Sequence, residues 1–281
     1  LQRTGTPWVA DFRDPWTAIN FYDDLPMTPA ARALDRRFER NVLRAADAVT
    51  TVSPTWARLL ERTAGLKSGS VEVVQNGVDL EDVPAEREPV RADAFSLVHV
   101  GSLYATRDPG VVWRAVRQLR AQGEVEKLVV RLVGKTDGAV LEAARATGAP
   151  VEAVPYVTHA DAVLEQARAG LLLLSIERFA AEDGMITGKL YEYLASGRPV
   201  LGVGPVEGDA AALLAETDGG TMHGRDDLES VMATIQRHYD AWASGSVLEG
   251  ASRAAVEPYS RQAQTRLLAD VIRGLEAGVA R

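Results

Sequence analysis

Short segments that are apolar at nearly every position alternate with amphipathic helical patterns along this chain. The predicted strands Phe95–Val100, Leu128–Val133 and residues 171–176 are the strongest of these segments. Strands of this composition are buried on both faces, as in parallel sheets whose connecting helices cover both sides. The alternation therefore predicts an α/β fold of doubly wound, Rossmann-like parallel sheets, which bind ligands at the carboxyl ends of their strands.

The same alternation predicts the other elements. Ser53 and Pro54 supply an N-cap and a first-turn proline for one helix, and Asp108 and Pro109 are predicted to do the same for another. The tail from residue 207 onward is predicted to be mostly helical. The further predicted strands are residues 7–10, 48–52, 71–74, 151–154 and 200–203, and the further predicted helices are residues 29–45, 139–146, 160–169, 188–196 and about 258–277.

Residues 83–93 are rich in Pro, Glu and Arg and poor in apolar side chains, which indicates a linker between two domains. We therefore predict a first domain at residues 1–87, a second domain at residues 88–257, and a final helix at 258–281 that returns to the first. About 85 residues before the linker are too few for a Rossmann-like domain of ~150. We expect the first domain to be incomplete, through truncation, proteolysis or reduction, and either a second copy or another protein to cover its sheet.

Composition excludes several classes of function. The net charge is −8, which argues against a nucleic-acid partner. With no cysteine, no disulfide, thiolate nucleophile or zinc–cysteine site can form. The four histidines are scattered and no Asp-x-Asp pair occurs, so we expect neither a metal site nor a bound cofactor. No segment has the character of a membrane span or a secretory signal, so we expect a cytoplasmic protein, free or attached to the inner membrane as a peripheral protein.

One loop carries the signature of an anion site. Residues 183–189 join a buried strand to a helix start, and that start places Lys189 among free backbone amides that attract phosphate. A cation is disfavoured there by the helix dipole, so its presence suggests an anionic ligand. Glu192 lies on the same helix face, where its carboxylate could accept hydrogen bonds from ribose hydroxyls. The alternative is an ordinary Lys–Glu pair on the helix surface.

Two other strand ends carry charged residues. Arg107 precedes a helix start and could bind a diphosphate through its guanidinium fork, although a capped surface helix explains the same residues. Residues 11–16 place two Asp, one Arg and Trp16 at the first strand end, either as a ligand site or as a local Arg–Asp pair beside a core tryptophan. His99 ends a core strand and reads as a satisfied packing residue rather than a base. Residues 202–208 read as a turn.

The order of the motifs resembles glycosyltransferase family 4, whose members are retaining, nucleotide-sugar-dependent enzymes of the GT-B fold. The resemblance covers nearly the whole chain. Its most specific part is the run from Lys189-Leu190-Tyr191-Glu192 to Pro199-Val200. The other matching motifs are Asp11-Phe12-Arg13-Asp14-Pro15-Trp16, Val52-Ser53, Asn76-Gly77-Val78-Asp79, Val100-Gly101-Ser102-Leu103 and Val133-Gly134.

The resemblance implies a UDP- or GDP-linked sugar as donor and a role for each matching residue. Arg107 and Lys189 would hold the diphosphate, with positive charge rather than a metal stabilising its departure. Glu192 would bind the ribose, and the acceptor (a glycan, a lipid-linked sugar or a small molecule) would lie near Asp14 and Trp16. The other implied donor-binding residues are Gly101, Ser102, Gly134, Lys135, Tyr156, Val157, Asp183, Gly184, Met185, Ile186, Thr187 and Gly188.

The chain departs from the family pattern at two positions. The family often has a glutamate eight positions before the one that Glu192 matches, and this chain has Gly184 there. It also commonly has an arginine where this chain has Ser102, which would leave more of the diphosphate charge to Arg107. A non-catalytic nucleotide-sugar-binding module therefore stands beside the transferase hypothesis. A third reading is another GT-B-like enzyme, such as a sugar-nucleotide epimerase or a phosphorylase.

Overall fold

The computed structural model of this chain describes residues 5–84, 90, 91 and 93–279. The predicted domain boundary between residues 87 and 88 lies outside the described residues, as does most of the predicted linker.

Nine strands and ten α-helices are described, joined by turns and by four short 3-10 segments. The strands are β1 (Val9–Phe12), β2 (Ala48–Thr51), β3 (Val71–Val73), β4 (Phe95–Val100), β5 (Leu128–Val133), β6 (Val151–Val154), β7 (Leu171–Ser175), β8 (Val200–Val203) and β9 (Gly220–His223). The helices are α1 (Pro29–Ala45), α2 (Pro54–Ala64), α3 (Gly110–Ala121), α4 (Gly138–Arg145), α5 (His159–Ala167), α6 (Gly188–Ala195), α7 (Asp209–Glu216), α8 (Leu228–Ala243), α9 (Arg253–Val256) and α10 (Arg261–Val279).

The strands form two parallel sheets, which confirms the predicted α/β class. The first sheet has the order β1-β2-β3, and the second has the order β6-β5-β4-β7-β8-β9. In the second sheet the chain runs outward from β4 to β6, then returns to the other side of β4 with β7. This reversal is the switch point at which open α/β sheets form a crevice for ligands. A ligand of the second sheet is therefore expected beyond the carboxyl ends of β4 and β7.

Each sheet has its own apolar core. The faces of the second sheet pack against two clusters, one built around Phe95 and α3 and the other around Tyr191 and Tyr193, and the β7 leucines alternate between the two. A smaller cluster, which includes Leu43 and Leu60, packs the first sheet against its helices. Two backbone hydrogen bonds join the start of α10 to Val78. Val78 N–H donates to Tyr259 O, and Arg261 N–H donates to Val78 O. These two bonds connect the C-terminal helix to the segment that follows β3.

Two local predictions were wrong. Helix α3 begins at Gly110 with Pro109 at the N-cap position, and Asp108 instead accepts a hydrogen bond from Trp113 Nε1 at 2.6 Å. Strand β9 was missed within the predicted helical tail, because its sequence, Gly-Thr-Met-His, has neither the alternation nor the apolar run of a strand. It forms because β8 offers it a parallel partner. By contrast, Ser53 caps α2 as predicted, since its Oγ accepts from Trp56 N–H.

Candidate functional site

The loops that follow β4 and β5 meet at the switch point of the second sheet. Gly101 has a φ of +107° and Gly134 a φ of +110°, a region that side chains other than glycine rarely adopt. A Cβ on Gly134 would lie 2.8 Å from Gly101 O, so the backbones touch directly. The positive φ thus favours glycine at both positions, and the close approach also requires it at position 134.

Lys189 reaches across to this open strand end. A Cβ on Gly101 would lie only 3.1 Å from Lys189 Nζ, so the ammonium group sits directly over the glycine. Burial, together with repulsion by Arg107, lowers the pKa of Lys189 to about 8, while Glu192 opposes the shift. A largely buried cation without a carboxylate in contact is costly, and an anionic ligand at this point would remove the cost.

Helix α6 is held in place by the tyrosines that flank Glu192. Tyr193 OH accepts a hydrogen bond from Val100 N–H at 2.8 Å, which ties the helix to the end of β4. Tyr191 OH donates to Gln75 Oε1 at 3.0 Å, which ties it to the segment after β3. Both rings are buried, whereas Lys189 and Glu192 are only partly buried.

The first turn of α6 presents free hydrogen-bonding groups. Thr187 is the N-cap, yet its hydroxyl makes no capping bond and is buried without a partner. Gly188 is exposed, and a Cβ placed on it would meet nothing within 4 Å. The backbone amides of this turn, the Thr187 hydroxyl and Lys189 together form a donor set suited to phosphate oxygens.

His99 lies beneath Lys189 and is fully buried on β4. Its Nε2 is 3.2 Å from Lys189 Nζ, and its Nδ1 is 2.9 Å from Leu173 O on β7. Burial and the Lys189 charge lower the pKa of His99 to about 3, despite hydrogen bonding to the backbone of Leu173 and Ser102. The sequence interpretation of His99 as a satisfied packing residue missed its contact with Lys189.

Arg107 is engaged by an acidic partner. Its Nε donates to Glu177 Oε2 at 3.2 Å, and the same oxygen accepts at 2.8 Å from Asn20 Nδ2, which lies between β1 and α1. The alternative interpretation of this loop as a simple capped surface helix does not account for that pairing. Neither Asn20 nor Glu177 was singled out in the sequence, because neither belongs to a motif and they lie 157 positions apart.

Glu192 faces away from the strand ends, toward the segment that links the sheets. Its carboxylate accepts from Gln166 Nε2 of α5 at 3.1 Å. It also lines a small cavity of about 20 Å³ together with Gly77, Val78 and Asp79. Glu192 and Lys189 thus lie one turn apart on α6 but contact different parts of the structure.

The departure from the family pattern at Gly184 has a structural cause. A Cβ on Gly184 would lie 2.2 Å from Cδ1 of Trp56, whose indole is buried against this turn. Trp56 Nε1 also donates to Ala181 O at 2.9 Å. Nearby, Thr55 N–H and Oγ1 bond to both carboxylate oxygens of Asp209. The start of α2 therefore fills the space that a side chain at position 184 would need.

The remaining residues predicted for the donor site differ in their burial and in their partners. The acidic neighbour Glu182 pairs with Arg225, so it does not replace the missing glutamate. Asp183 is exposed, Met185 packs against the core and the side chain of Ile186 lies within it, out of reach of a ligand. Lys135 lies over the ring of Tyr104 at 5.6 Å, and Tyr156 is 89% exposed. Val157 is partly buried, and Ser102 lies in the loop beside Gly101.

The first sheet has a cavity of its own at the carboxyl ends of its strands. It measures about 340 Å³, and its polar lining includes Arg13, Gln75, Arg261 and Gln264. Arg13 bonds to Asn76 and not to an aspartate, which contradicts the local Arg–Asp pair considered for residues 11–16. The predicted acceptor-side residues Asp14 and Trp16 are exposed and do not line this cavity.

No described helix has both the length and the apolar character needed to cross a membrane. Among the same residues, no group of three or more His, Asp or Glu side chains is arranged to hold a metal ion.

Comparison with known proteins gives matches in sequence and in fold. Residues 1–77 match the family described as Glycosyl transferase 4-like domain. The D-inositol 3-phosphate glycosyltransferase of Kribbella flavida is 36% identical over 129 residues, which cover 43% of this chain but only 30% of that protein. The match therefore spans less than a third of the length of this curated relative.

The fold matches solved structures over nearly the whole chain. Sucrose-phosphate synthase of Thermosynechococcus elongatus superposes with a TM-score of 0.71 at 17% identity, over 99% of this chain and 70% of that one. Anabaena HepE in complex with UDP gives a TM-score of 0.68 at 15% identity, over 96% and 72%. S. aureus TarM, solved with UDP, gives 0.65 at 10% identity, over 94% and 50%. The chain therefore has the GT-B fold of these glycosyltransferases, and its first 77 residues are similar to a glycosyltransferase 4-like domain.

Proposed function

We propose that this protein transfers a sugar from a nucleoside diphosphate sugar to an acceptor hydroxyl, with retention of configuration and without a metal ion. The observation that carries the proposal is the position of Lys189, a partly buried ammonium over Gly101 at the switch point of the second sheet. Arg107 adds a second cation to the same crevice, since its charge lowers the pKa of Lys189. Two cations and a helix N-terminus suit a diphosphate leaving group.

In this mechanism the bond between the sugar and the diphosphate breaks, and the electron pair leaves with the diphosphate. Lys189, Arg107 and the first turn of α6 stabilise the charge that develops on the departing oxygens. The acceptor hydroxyl attacks the sugar from the face that the diphosphate leaves and gives its proton to the departing phosphate oxygen, so that the configuration is retained. The cavity at the ends of β1–β3 lies on the first sheet, and we assign the acceptor to that side.

We assign the ribose to Glu192, because its carboxylate lies on the same helix face as Lys189 and lines the small cavity beside Gly77. The donor base is assigned to the loops that carry Lys135 and Tyr156. UDP is the first nucleotide to test, since HepE and TarM were both solved with it. GDP is the second.

One observation favours a second candidate, a module that binds nucleotide sugars without turning them over. The turn that should contact the donor sugar has no side chain at Gly184 and is covered by Trp56. Incubation of the protein with UDP- and GDP-sugars separates the candidates. Release of free nucleoside diphosphate, faster when an acceptor is present, supports the transferase. Binding without release supports the module, and an altered sugar still attached to its nucleotide would contradict both.

Replacing Glu192 by Gln should weaken the binding of the nucleoside part of the donor. A carboxylate that bonds ribose hydroxyls contributes a charged hydrogen bond, so we expect affinity for uridine and UDP to fall by about tenfold alike. Isothermal titration calorimetry measures both. Glu142→Gln, an exposed residue paired with Arg145 on α4, is the matched control. If uridine binds Glu192→Gln as well as the native protein, the carboxylate does not hold the ribose.

Affinity for a nucleoside diphosphate should decrease as the pH rises through about 8. The pKa of Lys189 is lowered to about 8, so below this pH the ammonium is charged and attracts the diphosphate, and above it the charge is lost. We expect the dissociation constant to rise toward tenfold per pH unit above this pKa. Calorimetry between pH 6.5 and 9.5 tests this, with uridine as a ligand that lacks the dependence. If the dissociation constant does not change over this range, Lys189 does not bind the diphosphate.

A further inference from the structure

His99 is a buried imidazole whose two nitrogens both have partners, Leu173 O on β7 and Lys189 Nζ on α6. It is 1% exposed and lies on β4, next to β7. Nδ1 lies 2.9 Å from Leu173 O, which can only accept a hydrogen bond. The backbone of Ser102 also hydrogen-bonds to the ring, and we assign the proton of the neutral imidazole to Nδ1 on the contact with Leu173 O, which leaves a lone pair on Nε2.

That lone pair is directed at the ammonium group of Lys189. The distance between Nε2 and Nζ is 3.2 Å, a hydrogen bond in which the lysine donates. Because His99 lies on β4 and bonds to Leu173 O of β7, the acceptor is fixed, whereas the lysine side chain is long and flexible. The contact selects the one placement of the ammonium that lies over Gly101.

We propose that His99 is a positioning residue that keeps Lys189 charged and over Gly101 by accepting its hydrogen bond. The inference rests on the proposed function, since it assigns a role within the diphosphate site. His99 does not touch the ligand, and it acts through the lysine.

The charged groups around Lys189 leave this role to His99. Arg107 repels the ammonium from the loop after β4, and Glu192 attracts it from one turn further along α6. The Arg107 charge is itself offset by Glu177, which accepts hydrogen bonds from Arg107 and Asn20. The carboxylate of Glu192 is bonded to Gln166. The neutral His99 thus favours the charged form of Lys189 at short range without placing a negative charge beside it.

The test measures Lys189 directly in the unliganded protein. The chain has only four lysines, at positions 67, 127, 135 and 189, so ¹³C labelling of the lysine ε-carbons gives four signals. Lys189→Arg identifies the signal of interest. The titration of that signal is followed in the native protein, in His99→Leu and in His99→Gln, whose side-chain amide can donate to Leu173 O and accept from Lys189.

We expect the Lys189 titration to move toward acid by about one pH unit in His99→Leu and to stay close to the native position in His99→Gln, because only leucine removes the acceptor. UDP affinity at pH 7.5 should fall roughly tenfold in His99→Leu and much less in His99→Gln. A role in packing alone would lower thermal stability in both variants and leave the titration unmoved. An unmoved Lys189 signal in both variants overturns the proposal.

A second measurement needs no variant. Imidazole ¹⁵N shifts of the native protein report which nitrogen carries the proton, and we expect a neutral His99 with Nδ1–H. An Nε2–H tautomer would overturn the proposal, because that nitrogen could not accept from Lys189. If the titrations and the tautomer follow expectation but the native protein binds no nucleoside diphosphate, the proposed function fails and the relation between His99 and Lys189 stands.

Discussion

Lys189→Ala should weaken nucleoside diphosphate binding on the order of 100-fold, which corresponds to about 2.7 kcal/mol. The ammonium lies over Gly101, largely buried, at the point where the phosphate oxygens would sit. Without it, only the helix N-terminus and Arg107 remain to bind the two phosphates. Calorimetry with UDP and GDP at pH 7 measures the loss.

The structure supplies matched controls for this substitution. Lys127→Ala removes a lysine at the other end of β5, next to Leu128, and should leave UDP affinity unchanged. Lys189→Arg keeps the charge, so part of the affinity should remain, although the guanidinium is too large to repeat the contact with His99. Arg107→Ala should cost less, about tenfold, because Arg107 is shared with Glu177. Native affinity in Lys189→Ala would show that the diphosphate binds elsewhere.

Gly184→Ala should destabilise the protein by about 3 kcal/mol, even though it adds a single methyl group. That methyl group would lie 2.2 Å from Cδ1 and 2.4 Å from Nε1 of Trp56, so the turn or the indole has to move. Movement of the indole would stretch its bond to Ala181 O and disturb the contact between α2 and the turn. Urea unfolding measures the change in free energy, and Gly188→Ala, whose Cβ has open space, is the matched control.

A double-mutant cycle identifies the cause. Trp56→Leu removes most of the indole and should itself cost several kcal/mol, since the side chain is only 2% exposed. In that background Gly184→Ala should cost less than about 0.5 kcal/mol, because the clash is gone. An equal cost in both backgrounds would mean that the conformation of the turn, rather than Trp56, requires glycine at position 184.

Much of the fold followed from local composition. The bounds of β4, β5, β6, β8 and α1 agree with those predicted from the sequence, because apolar runs and helical stripes report burial directly. The errors lie where tertiary contacts decide. Strand β9 depends on pairing with β8, and Asp108 bonds to Trp113 instead of capping α3.

The candidate site divides in the same way. Lys189, Glu192 and Arg107 could be singled out because a helix start, a loop and a glycine are local patterns with a known preference for anions. Asn20, Trp56 and Glu177 could not, because each acquires its role through a contact with residues more than 60 positions away. His99 was noticed but read as packing, since nothing in its neighbourhood in the sequence points to Lys189, 90 positions away.

The sequence by itself determined the fold class, most of the elements and the residue types that favour a phosphate-bearing ligand, because these depend on periodicity and on side chains a few positions apart. Only the tertiary structure decided which charges meet. It placed Lys189 against His99 and Gly101, paired Arg107 with Glu177, and closed the space at Gly184 with Trp56. The physical reason is that these contacts join the ends of parallel strands that lie far apart in the chain, and strand order is set by packing the whole sheet.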